Sequence, residues 1–287
     1  GYADAGWNDV ADELGFHVVY PQQNTGANNS LGCFNWGGSW PGTPNSFVAS
    51  ANCALYCGAE VDSVNIDPAS RNMSVERLRE KLEGAKAEGT LPDVVIPVDF
   101  SGMPCDLAEI RKLADEYGFK TRQDASHATG ADYQGKPVGG QFADASVFSF
   151  HAVKIVTSAE GGMVTTQDAD LAKRIALLRS HGVTRDETLL EREPEGGWDY
   201  AQVDLGYNYR ITDVQAALGA SQLERIDTMQ AERAARADRY DEILADLPLK
   251  LPQRFNDRSS AWHLYVVELT DGAKCDRAAL FAAMREA

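Results

Sequence analysis

Three stretches of the chain set ionisable and nucleophilic side chains among small ones: Gln123-Asp124-Ala125-Ser126-His127-Ala128, Phe148-Ser149-Phe150-His151-Ala152-Val153-Lys154 and Glu160-Gly161-Gly162. Asp124 lies just past the carboxyl end of the strand expected at 119–123, and Lys154 follows the buried strand expected at 145–150, so both fall at the carboxyl edge where open α/β sheets bind ligands. Lys154 has Ala152, Val153, Ile155 and Val156 around it. Desolvation in such a setting lowers an amine's pKa and makes the neutral form a nucleophile. Each residue alone has a plainer reading: Asp124 as a turn or helix cap, Lys154 as a lysine reaching solvent, Ser149 bonded to backbone, His127 as a satisfied, partly buried imidazole. Together they fit pyridoxal phosphate chemistry. A lysine bonds the cofactor's aldehyde, an acid keeps the pyridine nitrogen protonated so that the ring withdraws electrons, and a hydroxyl holds the phosphate.

Other chemistries find little support. His151, His181 and His263 are too scattered to suggest a metal site. Gly130-Ala131-Asp132-Tyr133-Gln134-Gly135-Lys136 has the spacing of a phosphate loop, but Pro137 replaces the hydroxyl residue that would hold magnesium, and a hairpin turn at Gln134-Gly135 is the better reading. Gly37-Gly38-Ser39-Trp40-Pro41 fails as a nucleophile elbow at its last position. The five cysteines, Cys33, Cys53, Cys57, Cys105 and Cys275, lack paired spacing, and Cys53 and Cys57 are expected to be buried helix packing. With 43 acidic against 27 basic residues, the net charge is -16, which leaves no basic field for a nucleic acid or an anionic membrane. No window is apolar enough for a membrane span and the start lacks the regions of a signal peptide, so the expected location is cytoplasmic.

The elements that must position these residues alternate from about residue 59 onward, which predicts an α/β protein with a mainly parallel sheet covered by helices. Strands are expected at 61–66, at 93–98 as a fully buried run, and at 119–123, 145–150, 162–166 and 262–269. Helices are expected from Ser74 to Glu88, from a cap at Asp106 to Gly118, from Asp168 onward, over 212–247 with a break near the middle, and over 276–286. Residues 1–45 are polar and loop-like, without this periodicity.

Six segments, taken in order, resemble the DegT/DnrJ-type sugar-nucleotide aminotransferases: Phe47-Val48-Ala49-Ser50-Ala51-Asn52, Asp124 to Ala128, Ser149 to Lys154, Glu160-Gly161-Gly162, Arg179-Ser180-His181-Gly182 and Asp204 to Asp213. The resemblance implies a fold-type I pyridoxal 5'-phosphate architecture and transfer of an amino group from glutamate to a nucleotide-linked 4-keto-6-deoxy sugar, in bacterial surface-sugar synthesis of the pseudaminic acid type. It also implies Lys154 as the cofactor-linking lysine and general acid/base, Asp124 on the pyridine nitrogen, His127 beside the ring, Ser149 on the phosphate and Phe47 stacked on the ring. Asn208 would reach the phosphate of a neighbouring subunit, since sites of this family lie at a homodimer interface.

The same resemblance divides the chain into residues 1–45, a cofactor domain over 46–227 and the opening of a C-terminal domain over 228–287, expected to be incomplete because the sequence stops inside a helical pattern. Residues 1–40 instead resemble a fragment of a polyhydroxybutyrate-depolymerase-like esterase, and the expected junction falls at Trp40 to Ser46. The alternatives to an active transaminase are a non-catalytic regulator that keeps the cofactor fold, an inactive fragment of the aminotransferase, and, from the first 40 residues only, an esterase.

Overall fold

A computed structural model describes the backbone of His17–Val19 and residues 48–286. Its centre is a five-stranded sheet built from β1 (His17–Val19), β2 (Val94–Val95), β3 (Lys120–Asp124), β4 (Ala145–Ser149) and β5 (Gly162–Thr166), in the order β1-β5-β4-β3-β2. β2, β3 and β4 run parallel, whereas β4, β5 and β1 are antiparallel neighbours. The molecule is therefore α/β, with the parallel pairs on the side that carries Asp124 and Ser149.

Helices cover this sheet: α1 (Val48–Tyr56), α2 (Val75–Glu88), α3 (Leu107–Tyr117), α4 (Ala169–Arg179), α5 (Asp213–Leu223) and α6 (Ile226–Leu244). Their ends follow local chemistry. Ser74 accepts from the Arg77 N–H at the start of α2, and Asp168 accepts from the Asp170 and Leu171 N–H groups at the start of α4. Gly118, at φ 84°, closes α3 in the left-handed conformation. Thr212 and Gln215 form a reciprocal capping box on α5, and the expected break in the long helical stretch falls at Glu224 and Arg225. The hairpin turn at Gln134-Gly135 is present, with both residues at positive φ between two-residue strands.

Two apolar clusters flank the sheet. Leu78, Leu82, Ile110, Leu113 and Phe119 pack α2 and α3 against one side, while Phe148, Phe150, Ile155, Val156, Met163, Ile211 and Ala216 pack the Lys154 segment and α5 on the other.

Several expectations need correction. Residues 61–66 form no strand, because Val61 is exposed and pairing is limited to an isolated bridge between Ile66 and Met73. The run at 93–98 is not fully buried: only Val94–Val95 is strand, on the sheet edge, and Val94 is exposed. Asp106 makes no side-chain cap to α3, since its carboxylate is taken by the buried Arg258. The strand expected at 262–269 shrinks to Glu268–Leu269 because its first residues turn inward to the site. Cys53 and Cys57 are exposed rather than buried, as α1 leaves Leu55 and Tyr56 exposed too.

Leu113 is fully buried between α3 and the sheet. Leu113→Ala should cost about 2 to 5 kcal/mol of stability, measured by denaturant unfolding, as expected for a buried leucine whose cavity cannot collapse.

Candidate active site

The parallel pairing of β3 with β4 sets Asp124 opposite Val147, and the Ala125 N–H donates to the Val147 carbonyl at 2.9 Å. Both strands end at the same edge, so Asp124 and Ser149 emerge side by side. β4 is joined to its antiparallel neighbour β5 by residues 150–161, and this connection must turn back over that edge. It carries Lys154. Sheet topology alone thus brings the three residues together.

The turn that holds Lys154 is closed by its own backbone. Lys154 N–H donates to the His151 carbonyl, Ser158 N–H to the Phe150 carbonyl and Phe150 N–H to the Gly161 carbonyl, all at 2.9 Å. His151 Nε2 lies 3.8 Å from a Glu160 carboxylate oxygen, linking the two ends of the turn. Gln222 of α5 clamps it from outside, accepting from the Thr157 N–H at 3.2 Å and donating to the Thr157 carbonyl at 2.8 Å. Gly161 admits no side chain, because a Cβ there would stand 2.4 Å from Ser158 Oγ.

Lys154 is only 6% exposed, between Ile155, Val156 and the strand ends. Burial pushes its amine down to about 8, against a smaller opposing pull from the Asp124 carboxylate. Asp124 is fixed at both oxygens: Ser126 N–H donates to Oδ1 at 3.1 Å and Ser50 Oγ donates to Oδ2 at 2.6 Å. His127 is buried beside them. Desolvation, reinforced by the Lys154 charge, pushes its imidazole down to about 4, so it is neutral.

A second imidazole faces it. The His263 ring stacks on His127 with centroids 4.3 Å apart and planes at 33°. Burial and then the nearby His127, Lys154 and Arg233 hold His263 at about 3, likewise neutral. It arrives there because the backbone of residues 262–263 crosses directly over Gly102, where a Cβ would stand 3.0 Å from the Trp262 nitrogen and 3.1 Å from the His263 nitrogen. His263 and Ser50 are site residues that the sequence reading missed. The first sits about 110 residues from Lys154, and the second lay in a small-residue run with no chemical pattern of its own.

Ser149 is half-buried at the end of β4, its Oγ accepting from the His151 N–H at 3.4 Å. Asn208 is exposed on a segment pinned to the end of α4, where Tyr207 N–H donates to the Leu178 carbonyl and Tyr209 N–H to that of Arg179. It therefore stands apart from the group gathered around Lys154. Phe47 lies outside the described residues. Among the described residues no group of His, Cys, Asp and Glu could hold a metal ion.

The family model for DegT/DnrJ/EryC1/StrS aminotransferases matches residues 42–287. The chain belongs to this family. An uncharacterized protein of Methanocaldococcus jannaschii is 38% identical over 224 residues, covering 78% of this chain and 56% of that protein. A UDP-4-amino-4,6-dideoxy-N-acetyl-β-L-altrosamine transaminase of Campylobacter jejuni is 35% identical over 246 residues, covering 85% of this chain and 62% of that protein. The chain thus spans about six-tenths of the length of these relatives. Among solved structures, Helicobacter pylori PseC, an aminotransferase involved in the biosynthesis of pseudoaminic acid, superposes with a TM-score of 0.79 at 29% identity, covering 97% of this chain and 73% of that one. A family member from Brucella abortus superposes with a TM-score of 0.77 at 26% identity, covering 97% and 71%. The fold is that of the family's fold-type I members.

The donor set fits pyridoxal phosphate: a buried amine of lowered pKa, a doubly anchored carboxylate and a neutral imidazole converge at one sheet edge. In the ligand-free protein the buried ammonium carries a cost. Because the folded pKa lies below the unfolded value of about 10.4, that cost is full below pH 8 and is relieved as pH rises from about 8 to 10.5. Lys154→Met should therefore stabilise the protein by about 1 to 3 kcal/mol at pH 7. Paired melts across pH should show this advantage fading above pH 8.

Proposed function

We propose that the protein is a pyridoxal phosphate-dependent aminotransferase acting on a nucleotide-linked 4-keto-6-deoxy sugar with glutamate as amino donor, within surface-sugar synthesis of the pseudaminic acid type. The observation that carries this reading is the buried Lys154 amine at the carboxyl edge shared by Asp124 and Ser149, with its charge coupled to Asp124. When bound, pyridoxal phosphate supplies an aldehyde that takes up the amino group and a ring that withdraws electrons. The chain's own residues do the rest. Lys154, whose pKa burial lowers to about 8, would bond the aldehyde with loss of water and, once released by the incoming amine, would move protons as general acid and base. Asp124 keeps the proton on the pyridine nitrogen, Ser50 and the Ser126 N–H holding its carboxylate in aim. The neutral His127 flanks the ring without placing a competing cation beside it. Ser149 takes the phosphate, and Phe47 stacks on the ring.

Two further parts of the proposal concern context. Large apolar side chains are exposed in the Lys154 turn (Val153), in the segment leading to Asn208 (Leu205 and Tyr207) and on α5 (Val214 and Leu218). Such surface supports pairing with a second copy of the chain, in which Asn208 serves the neighbour's phosphate. In this reading the chain works in the cytoplasm and binds neither nucleic acid nor membrane. No helix among the described residues is long and apolar enough to cross a membrane.

Borohydride treatment of the full chain supplied with pyridoxal phosphate should fix the cofactor covalently on the peptide containing Lys154, and Lys154→Ala should abolish both the adduct and amino transfer. An adduct without transfer from glutamate to any nucleotide keto-sugar would favour a non-catalytic regulator. No adduct would overturn the reading.

The interface role of Asn208 has its own test. Asn208→Ala should weaken cofactor affinity by about 1.5 to 3 kcal/mol, the range for a hydrogen bond to a charged group. Mixing Asn208→Ala with Lys154→Ala should restore activity, because one site of each mixed dimer carries neither defect. No recovery, with subunit exchange verified, would place Asn208 outside the neighbour's site.

A further inference from the structure

Behind Asp124 a chain of hydrogen bonds runs through the core. Asp99 is fully buried, its Oδ1 accepting from the Cys105 N–H at 2.9 Å and its Oδ2 from Gln123 Nε2 at 2.6 Å. Gln123 Oε1 in turn accepts from Ser146 Oγ at 2.7 Å, and both of these residues are buried. The Asp99 N–H donates to the Asp124 carbonyl at 3.0 Å, and the Asp124 N–H donates to the Pro97 carbonyl at 2.8 Å. Both backbone polar groups of Asp124 are therefore bonded to residues 97–99, and the side chain just before it is gripped by the Asp99 carboxyl.

An acid is a costly choice for a core position, since an uncharged side chain of the same shape fills the space without the desolvation penalty. What an acid adds is charge. Burial pushes Asp99 up to about 7, opposed by the Cys105 N–H, the Gln123 amide and the Cys105 thiol, with the Asp124 carboxylate adding to the rise. The titratable groups that face it are Asp124 and the Cys105 thiol, which burial keeps protonated.

We propose that Asp99 is a positioning residue acting through Asp124: it locks the end of that strand, and its negative charge, when present, strengthens the site's hold on a protonated ring nitrogen. The proposal rests on the reading that Asp124 pairs with the pyridine nitrogen of pyridoxal phosphate. A cation held by Asp124 favours the ionised form of Asp99, and by reciprocity ionised Asp99 favours the cation. Affinity for the cofactor must therefore gain from Asp99 as pH rises through neutrality and lose that gain as pH falls.

The test is a titration of the full chain and of Asp99→Asn with pyridoxal 5'-phosphate between pH 5.5 and 8.5, followed by absorbance. The cofactor's own ionisations and that of Lys154 act on both proteins and cancel in the ratio of dissociation constants. That ratio should be near one at pH 5.5 and rise to about five- to thirtyfold at pH 8.5, the size expected for charges roughly 8 to 17 Å apart at an effective dielectric near 20. A constant ratio would mean that Asp99 merely supports the fold and would overturn the proposal. Gln123→Met provides a second reading should Asp99→Asn not fold: it removes the amide that stabilises the Asp99 charge, so the pH dependence should move upward by about one unit. An unmoved dependence would also overturn it. If the wild-type chain does not bind the cofactor at any pH, the transaminase reading itself fails, and with it the role of Asp99.

Discussion

A lysine amine withdrawn from water is the constraint on which the rest of the structure turns. A buried ammonium is unfavourable, and burial accordingly lowers the pKa of this amine to about 8. Everything around Lys154 makes sense in these terms. The turn that carries it is closed by three backbone hydrogen bonds and clamped by Gln222, which fixes the backbone from which the side chain enters the interior. Ile155 and Val156 on its own turn keep water away.

Charge within the site is graded by the same logic. The two facing imidazoles of His127 and His263 are held neutral, so neither competes with Lys154 for the negative charge of Asp124. Asp124 is the acid whose charge favours the Lys154 ammonium, and Ser50 and the Ser126 N–H keep its oxygens in place without neutralising them. A second carboxyl, Asp99, lies behind it in the core. An amine of lowered pKa thus shares one sheet edge with a carboxylate held at both oxygens.

Much of this was legible in the sequence, and the reasons are local. Asp124 and Lys154 each lie at or just beyond the end of a strand expected from the alternation of strands and helices, and parallel pairing obliges such strands to present their ends together. Helix limits set by Ser74, Gly118, Asp168 and Thr212 were equally readable because capping is a contact between near neighbours. What escaped was long-range. The His263 stack depends on a backbone crossing over Gly102, and the Ser50 bond to Asp124 spans 74 residues. The runs at 61–66, 93–98 and 262–269 read as strands from their composition, yet strand formation depends on a partner, and most of these residues find none. Asp106 has the right type and place for a helix cap, but the buried Arg258 claims it from 152 residues away.

The central claim is that Lys154 is a buried amine of depressed pKa, and it can be measured without cofactor or substrate. Trace acetylation of the ligand-free protein across pH, with the Lys154 peptide quantified against surface lysines by mass spectrometry, yields the pKa of that one amine. A midpoint near 8 is expected for Lys154 and a lower one in Asp124→Asn, where the neighbouring charge that favours the ammonium is gone. A midpoint near 10.4, the value of a lysine in water, would contradict it.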